Sequence, residues 1–463
     1  ERIPLAQKYI IRTAKELGRK VYVATNLLET MVVAPTPTRA EVNDIFNTLQ
    51  DGADGLVLAA ETAVGKYPIN CAAMIVKLVR EFRSGVPDVP SSEAFSLLPE
   101  PHGGRLRIAM ADEKERREAE QLPRMTLPDA VLRDAEQMAL GLFSPVDGFM
   151  DREALESVLD RCRLPDGTVW PIPLVMPSPT SAPPAKGRRV ALCSEAGVIH
   201  SVLDVGDVFE VDLDDMARRW DGFAPRSFPS ATLIAGKVRL IERLPSPYRA
   251  HELTPEQTRF IFTQKGWTRV VAFQSRNVPH RAHEHIQSKA MERTHADGLF
   301  INPLTGPCRP GDVLPGTVIR GYETLLDFGA YPPGRAIVGC LSARPRGLGP
   351  REAVFTALCL KNMGCSHVII GQSHSGDGVR ELFGSLGDIG IEPVFFESLG
   401  WDPAGGTFVG QTTNPDASPL LSADVRRALA EGRPLPDWTI RSILQETLRA
   451  ELSAGRPLFC GGG

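Results

Sequence analysis

Gln274-Ser275-Arg276-Asn277-Val278-Pro279-His280-Arg281-Ala282-His283-Glu284 follows directly on the apolar run Val270-Val271-Ala272-Phe273. The stretch gathers amides, two guanidiniums and two imidazoles within eleven residues. An apolar strand that ends in such a cluster is how an open α/β sheet presents ligand groups at its carboxyl edge. Pro279 keeps Val278 extended, which predicts a helix beginning near His280. His280 and His283, three apart, then share one face of the first turn. The positive end of the helix dipole adds to their charge, a geometry suited to a polyphosphate. Two plainer readings compete: a solvated basic turn, and a histidine pair on zinc. A solvated turn rarely follows a buried strand so tightly, and zinc needs further ligands that the neighbourhood does not supply.

Size and composition bound the rest. The chain of 463 residues is long enough for two to four domains, and its 23% charged and 42% hydrophobic residues are an ordinary globular balance. With 52 basic against 56 acidic side chains the net charge is −4, which argues against nucleic acid or an anionic membrane as main partner. No apolar run approaches the length of a membrane span, about 18 residues, and no signal peptide opens the chain. The eight cysteines are scattered without a C-x-x-C pair, so free thiols and a reducing, cytoplasmic setting are expected. Glu1 and the closing Cys460-Gly461-Gly462-Gly463 read as cuts through a longer reading frame. The glycine run has no following Gly-Lys-Ser/Thr to complete a phosphate loop.

Periodicity and punctuation divide the chain. In residues 1–85, Val21–Thr25 and Gly55–Ala59 read as short buried strands adjoining helices over Arg39–Leu49 and Asn70–Phe82, the alternation of a parallel sheet. Residues 86–100 are a Ser/Pro/Gly-rich linker. Residues 101–245 carry short β patterns such as Arg189–Leu192 and Val208–Val211. Residues 246–400 alternate again, with strands at Gly298–Leu304, Ala336–Gly339 and His367–Gly371. A helix over Pro350–Met363 opens on Pro and Glu352 and stops at Gly364. Residues 401–463 form a closing segment with helical stretches at Leu421–Glu431 and Arg441–Leu448.

The stretch at 274–284 resembles the Q-x-R-N-x-x-H-R-A-H-E motif of ATP sulfurylases (sulfate adenylyltransferases). Gly141-Leu142-Phe143-Ser144-Pro145-Val146-Asp147-Gly148-Phe149-Met150 and Val169-Trp170-Pro171-Ile172-Pro173 resemble the amino-terminal domain of the same family. That resemblance spans roughly 101–450. Residues 1–85 resemble the last two β/α units of a pyruvate kinase barrel, through Ala24–Met31, Pro37–Val42 and Glu61–Pro68. The family's upstream metal-binding and phosphoryl-transfer motifs are absent, so no pyruvate kinase activity is expected. The fold implied is α/β: a nucleotidyltransferase-type parallel sheet, preceded by a small β-rich, PUA-like domain and a partial β/α-barrel fragment.

The resemblance implies attack of a sulfate oxygen on the α-phosphorus of ATP, carried with Mg2+, releasing pyrophosphate. A homo-oligomer that binds neither nucleic acid nor membrane is expected. The matching positions imply that His280 and His283 hold the phosphates, Arg276 grips the oxyanion with Gln274 in support, and Asn277 sets the nucleotide. Arg346 and the turn Gly371, Gln372, His374, Ser375 and Gly376 are the further ligand-binding candidates. His285, His295 and His367 are given no role. The chain departs from the family where G-R-D-H-A-G is expected and Gln372, Ser373 and Ser375 replace Arg, Asp and Ala. Arg346 also lacks its aromatic neighbour, and Asn302 stands where an I-H-P-L strand has histidine. Those changes leave two alternatives open: transfer to another oxyanion such as a phosphonate, and a catalytically silent nucleotide-binding fusion. A pyruvate kinase fusion with its active half elsewhere is a third.

Overall fold

The computed structural model describes residues 3–24, 27–84, 97–220, 230–343, 345–371, 377–420 and 422–461. The chain divides into two compact units, Glu1–Leu97 and Leu98–Gly463. In the first, α1 (Ile3–Glu16), β1 (Tyr22–Ala24), α2 (Arg39–Gln50), β2 (Gly55–Val57), α3 (Ala60–Ala63) and α4 (Pro68–Ser84) follow one another. Thr38 and Glu41 close a reciprocal capping box that fixes the start of α2. Strands β1 and β2 pair in parallel, with Tyr22 opposite Gly55. Leu27, Leu28, Met31, Ile45, Leu49, Cys71 and Leu78 form the unit's own buried core. The buried Glu61 accepts hydrogen bonds from the N–H groups of Leu28 (3.2 Å) and Ala59 (2.8 Å), tying the β2–α3 turn to the β1 side.

The second unit opens with α5 (Glu113–Ala119), β3 (Arg124–Thr126), α6 (Asp129–Ala139), β4 (Gly148–Phe149) and α7 (Arg152–Arg161). It continues through β5 (Arg189–Cys193), β6 (Ile199–Glu210), α8 (Leu213–Arg219) and β7 (Thr232–Leu240). Its five strands lie in the order β3-β5-β6-β7-β4. Only the β3–β5 pairing is parallel.

The chain then alternates α9 (Pro255–Gln264), β8 (Val270–Ser275), α10 (Arg281–Thr294), β9 (Gly298–Pro303), α11 (Pro315–Asp327) and β10 (Ala336–Val338). Next come α12 (Gly349–Asn362), β11 (His367–Ile370), α13 (Asp377–Leu386) and β12 (Glu392–Phe395). These five strands form an all-parallel sheet ordered β10-β9-β8-β11-β12. The three central strands, β8, β9 and β11, are buried almost throughout and largely apolar, as expected where helices cover both faces. The order reverses direction between β8 and β11, and that switch point opens a crevice at the carboxyl ends of these two strands. A small antiparallel sheet, β14-β13-β15 (Leu399–Asp402, Thr407–Gly410 and Ser418–Pro419 for β13, β14 and β15), follows with α14 (Ser422–Ala430) and α15 (Ser442–Ser453).

One buried cluster runs from the β-rich layer into the parallel sheet, with Phe143 and Trp170 packed on Phe355 of α12. Asn362 pins the layers: its Nδ2 donates to the carbonyls of Leu142 (2.8 Å) and Ser144 (3.0 Å), and its Oδ1 accepts from the N–H of His102 (2.8 Å). The expectation of free thiols throughout is corrected here. Cys308 and Cys460 form a disulfide, closing a clasp in which residues 311–314 and 458–460 exchange backbone hydrogen bonds. Spacing did not reveal it, because its partners lie 152 residues apart and meet only through the fold. The other six cysteines are buried and take no part in a disulfide.

Candidate functional site

A cavity of about 700 Å³ occupies the crevice where β8 and β11 end. That size suits a nucleotide-scale ligand. Gln274, Arg276 and Asn277 reach it from the end of β8, His280 and His283 from the start of α10, and Gly371 from the end of β11. The sequence cluster is therefore brought together at one place. Gln372, His374, Ser375 and Gly376 lie outside the described residues.

The start of α10 differs from the sequence expectation. His280 is not in the first turn; it is the N-cap, in extended conformation with φ −137° and ψ 166°. Its Nδ1 accepts from the backbone N–H of His283 at 3.4 Å, so imidazole does the work usually given to Ser or Asp at that position. With Nδ1 accepting, the ring proton sits on Nε2 and is donated to the Ser422 hydroxyl oxygen at 3.2 Å. His283 stacks on His280, with ring centroids 3.6 Å apart and planes 20° from parallel. Its Nδ1 is shut off from solvent with no partner among the described residues.

The charge expected on this pair is also corrected. Burial pushes the His280 imidazole down to about 4, against a small opposing pull from its own backbone. Burial pushes His283 well below the ordinary imidazole range too, and His280 beside it acts in the same direction. Both rings are neutral at pH near 7. Fixed positive charge comes instead from Arg276 and Arg426, which line the cavity and form no ion pair with any described residue.

Arg346 does not line the cavity. Its guanidinium is taken by Asp134 of α6, with Nη2 and Nη1 at 2.5 and 3.2 Å from the two carboxylate oxygens, and it lies over the rings of Phe355 and Phe143. Glu352 accepts from the N–H groups of Arg346, Gly347 and Leu348, so this loop folds back on the first turn of α12. Asn302 is likewise structural: fully buried in β9, it donates to the Gly339 carbonyl at 2.6 Å. His367 begins β11 beside Glu392, and His295 is the left-handed C-cap of α10.

Sequence reading missed Ser422 and Arg426. Both sit on α14, whose helix was expected but assigned only to closing the domain. Their four-residue spacing, which puts a hydroxyl and a guanidinium on one helical face, was the available signal.

Residues 249–451 match the ATP-sulfurylase family model, residues 99–243 that of a PUA-like domain, and residues 1–72 that of the pyruvate kinase barrel domain. The sulfate adenylyltransferase of Pyrococcus abyssi is 32% identical over 377 residues, 76% of this chain and 98% of its own length. The chain belongs to the ATP sulfurylase family. The sulfate adenylyltransferases of Symbiobacterium thermophilum (33% over 385 residues) and Chloroflexus aurantiacus (34% over 380) agree, each with 77% of this chain and 97% of the relative covered. A solved structure described as the hexameric APS kinase from Thiobacillus denitrificans shares the fold, with a TM-score of 0.64 at 24% identity over 76% of this chain and 68% of that one.

Proposed function

We infer that this ATP sulfurylase family member transfers the adenylyl group of ATP to sulfate. A sulfate oxygen forms a bond to the α-phosphorus while the bond from that phosphorus to the bridging oxygen breaks. Pyrophosphate leaves with the electron pair. The observation that carries this reading is the pair of neutral, stacked imidazoles at the start of α10, sharing the crevice of the parallel sheet with Arg276, which forms no ion pair with any described residue. Such chemistry asks the protein for positioning and charge stabilisation more than for covalent work.

The two histidines divide the task. His280 has both ring nitrogens engaged, by the backbone of His283 and by Ser422, so it orients the turn. His283 lines the cavity with no hydrogen bond from its ring to any described residue, and is the ring that would meet the phosphates. A neutral imidazole there donates a hydrogen bond to the polyanion and gains basicity as negative charge gathers on the leaving group. Arg276 takes the attacking oxyanion in a forked grip, supported by Gln274, and Asn277 sets the nucleotide. Arg426 of α14 adds positive charge from the cavity lining.

Mg2+ would supply charge neutralisation on the phosphates. Among the described residues no group of three or more His, Cys, Asp or Glu side chains is placed to hold a metal. We propose that the ion would enter as its complex with ATP, beside the cavity-lining Arg276 and His283. A phosphonate acceptor was motivated by Gln372, Ser373 and Ser375, outside the described residues, and the relatives give it no support. A cytoplasmic homo-oligomer is the setting we propose for this ATP-consuming reaction.

Pyrophosphate release with ATP, Mg2+ and sulfate tests the function, with selenate, molybdate and phosphonates as competing acceptors. His283→Ala should abolish release in a folded protein. Undiminished release by that variant would remove the site from the mechanism.

A further inference from the structure

We propose that Arg441 and Glu284 are a positioning pair through which the C-terminal segment sets the histidine pair of the adenylyl site. The proposal rests on the adenylyl-transfer reading above. Glu284 is the next residue after His283 on α10, and its side chain is only 10% exposed. Arg441, the N-cap of α15, closes on it with a fork: Nε lies 2.8 and 3.1 Å from the two carboxylate oxygens and Nη2 lies 2.7 Å from Oε2. The guanidinium also lies over the Phe328 ring, 5.3 Å from its centroid, so the arginine is held on a second side.

The same segment makes a further contact with the same helical turn. The N–H of Arg281, the first residue of α10, donates to the Thr439 carbonyl at 2.9 Å. The opening N–H groups of a helix have no partner within it. Here the partners come from both sides, Thr439 for Arg281 and the His280 ring for His283. The turn carrying the histidines is thus held by a carbonyl and an ion pair that belong to residues more than 150 positions later in the chain. Neither Arg441 nor Glu284 lines the cavity, so neither touches substrate.

A partly buried ion pair contributes little net stability compared with apolar packing, but it fixes geometry strongly. Geometry is what transfer to an α-phosphorus demands. Two rings stacked at 3.6 Å and aimed at one cavity shift together if the turn rotates.

The test uses the full chain with Arg441→Met, Glu284→Gln and the double variant. Each single change should lower kcat for ATP-dependent pyrophosphate release about 100-fold, the penalty of misplacement by roughly 1 Å, while KM for ATP and sulfate stays near wild type. The double variant should be no worse than the poorer single variant, because both changes remove one interaction. Arg441→Lys should recover part of the loss, as it keeps the charge without the fork. Ring signals of His280 and His283 in protein labelled at histidine nitrogen should move in both single variants. Unchanged kcat in a folded single variant, or losses that multiply in the double variant, overturns the proposal. If Arg441→Met does not fold, Glu284→Gln, equal in size and neutral, carries the test. If the wild-type protein releases no pyrophosphate, the adenylyl-transfer reading fails. The ring signals then decide the pair by themselves, and unmoved signals overturn it.

Discussion

Acid should destabilise this protein through His280, and an asparagine in its place should remove that part of the effect. The folded imidazole is held at about 4 where an unhindered one titrates at 6.5. Above 6.5 the ring is neutral folded and unfolded, so it contributes nothing to the pH dependence. Between 6.5 and about 4 the unfolded chain takes up a proton that the folded chain refuses, and stability falls as pH falls. Below that window the difference has saturated. At about 1.4 kcal/mol for each tenfold difference in proton affinity, the gap amounts to about 3 kcal/mol. His280 is 4% exposed, so solvent screening takes little from that figure. His280→Asn keeps a side-chain acceptor for the N-cap and removes the titration. Urea unfolding of both proteins, in steps from about pH 7 to about pH 4, gives the comparison. Wild type should lose about 3 kcal/mol relative to His280→Asn across that range. His283 is present in both proteins, so its own depressed titration largely cancels. Parallel curves would mean that His280 titrates as a solvated imidazole, and the neutral stacked pair would be refuted.

Asp134→Ala should cost about 3–5 kcal/mol of stability, because it strands the buried Arg346 guanidinium; Asp134→Asn should cost less. Thermal unfolding checks it, and a loss under about 1 kcal/mol would show that the guanidinium reaches water. Arg276→Lys should lower kcat/KM for sulfate about 100-fold, read from pyrophosphate release, since an ammonium cannot reproduce the fork. Reductant should lower the urea midpoint by the equivalent of roughly 5 kcal/mol by opening the Cys308–Cys460 loop, and Cys308→Ser should make the protein insensitive to it. Phosphoenolpyruvate with ADP and Mg2+ should yield no pyruvate, because residues 1–84 hold only two paired strands of a barrel among the described residues. Pyruvate above background would reverse that assignment.

Much of the architecture could be read locally. The apolar run at 270–273 became the central strand β8, and the readings at 298–304, 336–339 and 367–371 became β9, β10 and β11 within a residue or two of their bounds. The helix at Pro350–Met363 is α12, ended by Gly364 at φ +99°. The short strands β12 to β15 are not among those read from the sequence. The polar cluster was legible because all its members fall within one strand end and one helix start. Arg346 was misread for the opposite reason: its neighbours in sequence suggested a ligand, while the residue that engages it, Asp134, lies 212 positions earlier.

The alternation of strands and helices, the family, and the set of side chains delivered at the end of β8 are all legible in the residues alone. Those follow from periodicity, caps and the covalent order of a single turn, all of them interactions between near neighbours. Which strand lies next to which, and so where the crevice opens, is set by the three-dimensional packing. It also decided that the two histidines are neutral, since desolvation depends on what packs around a ring and not on the residues beside it. The partners of the turn, Ser422, Thr439 and Arg441, reach it from the far end of the chain, and long-range pairing of that kind leaves no local trace in a sequence.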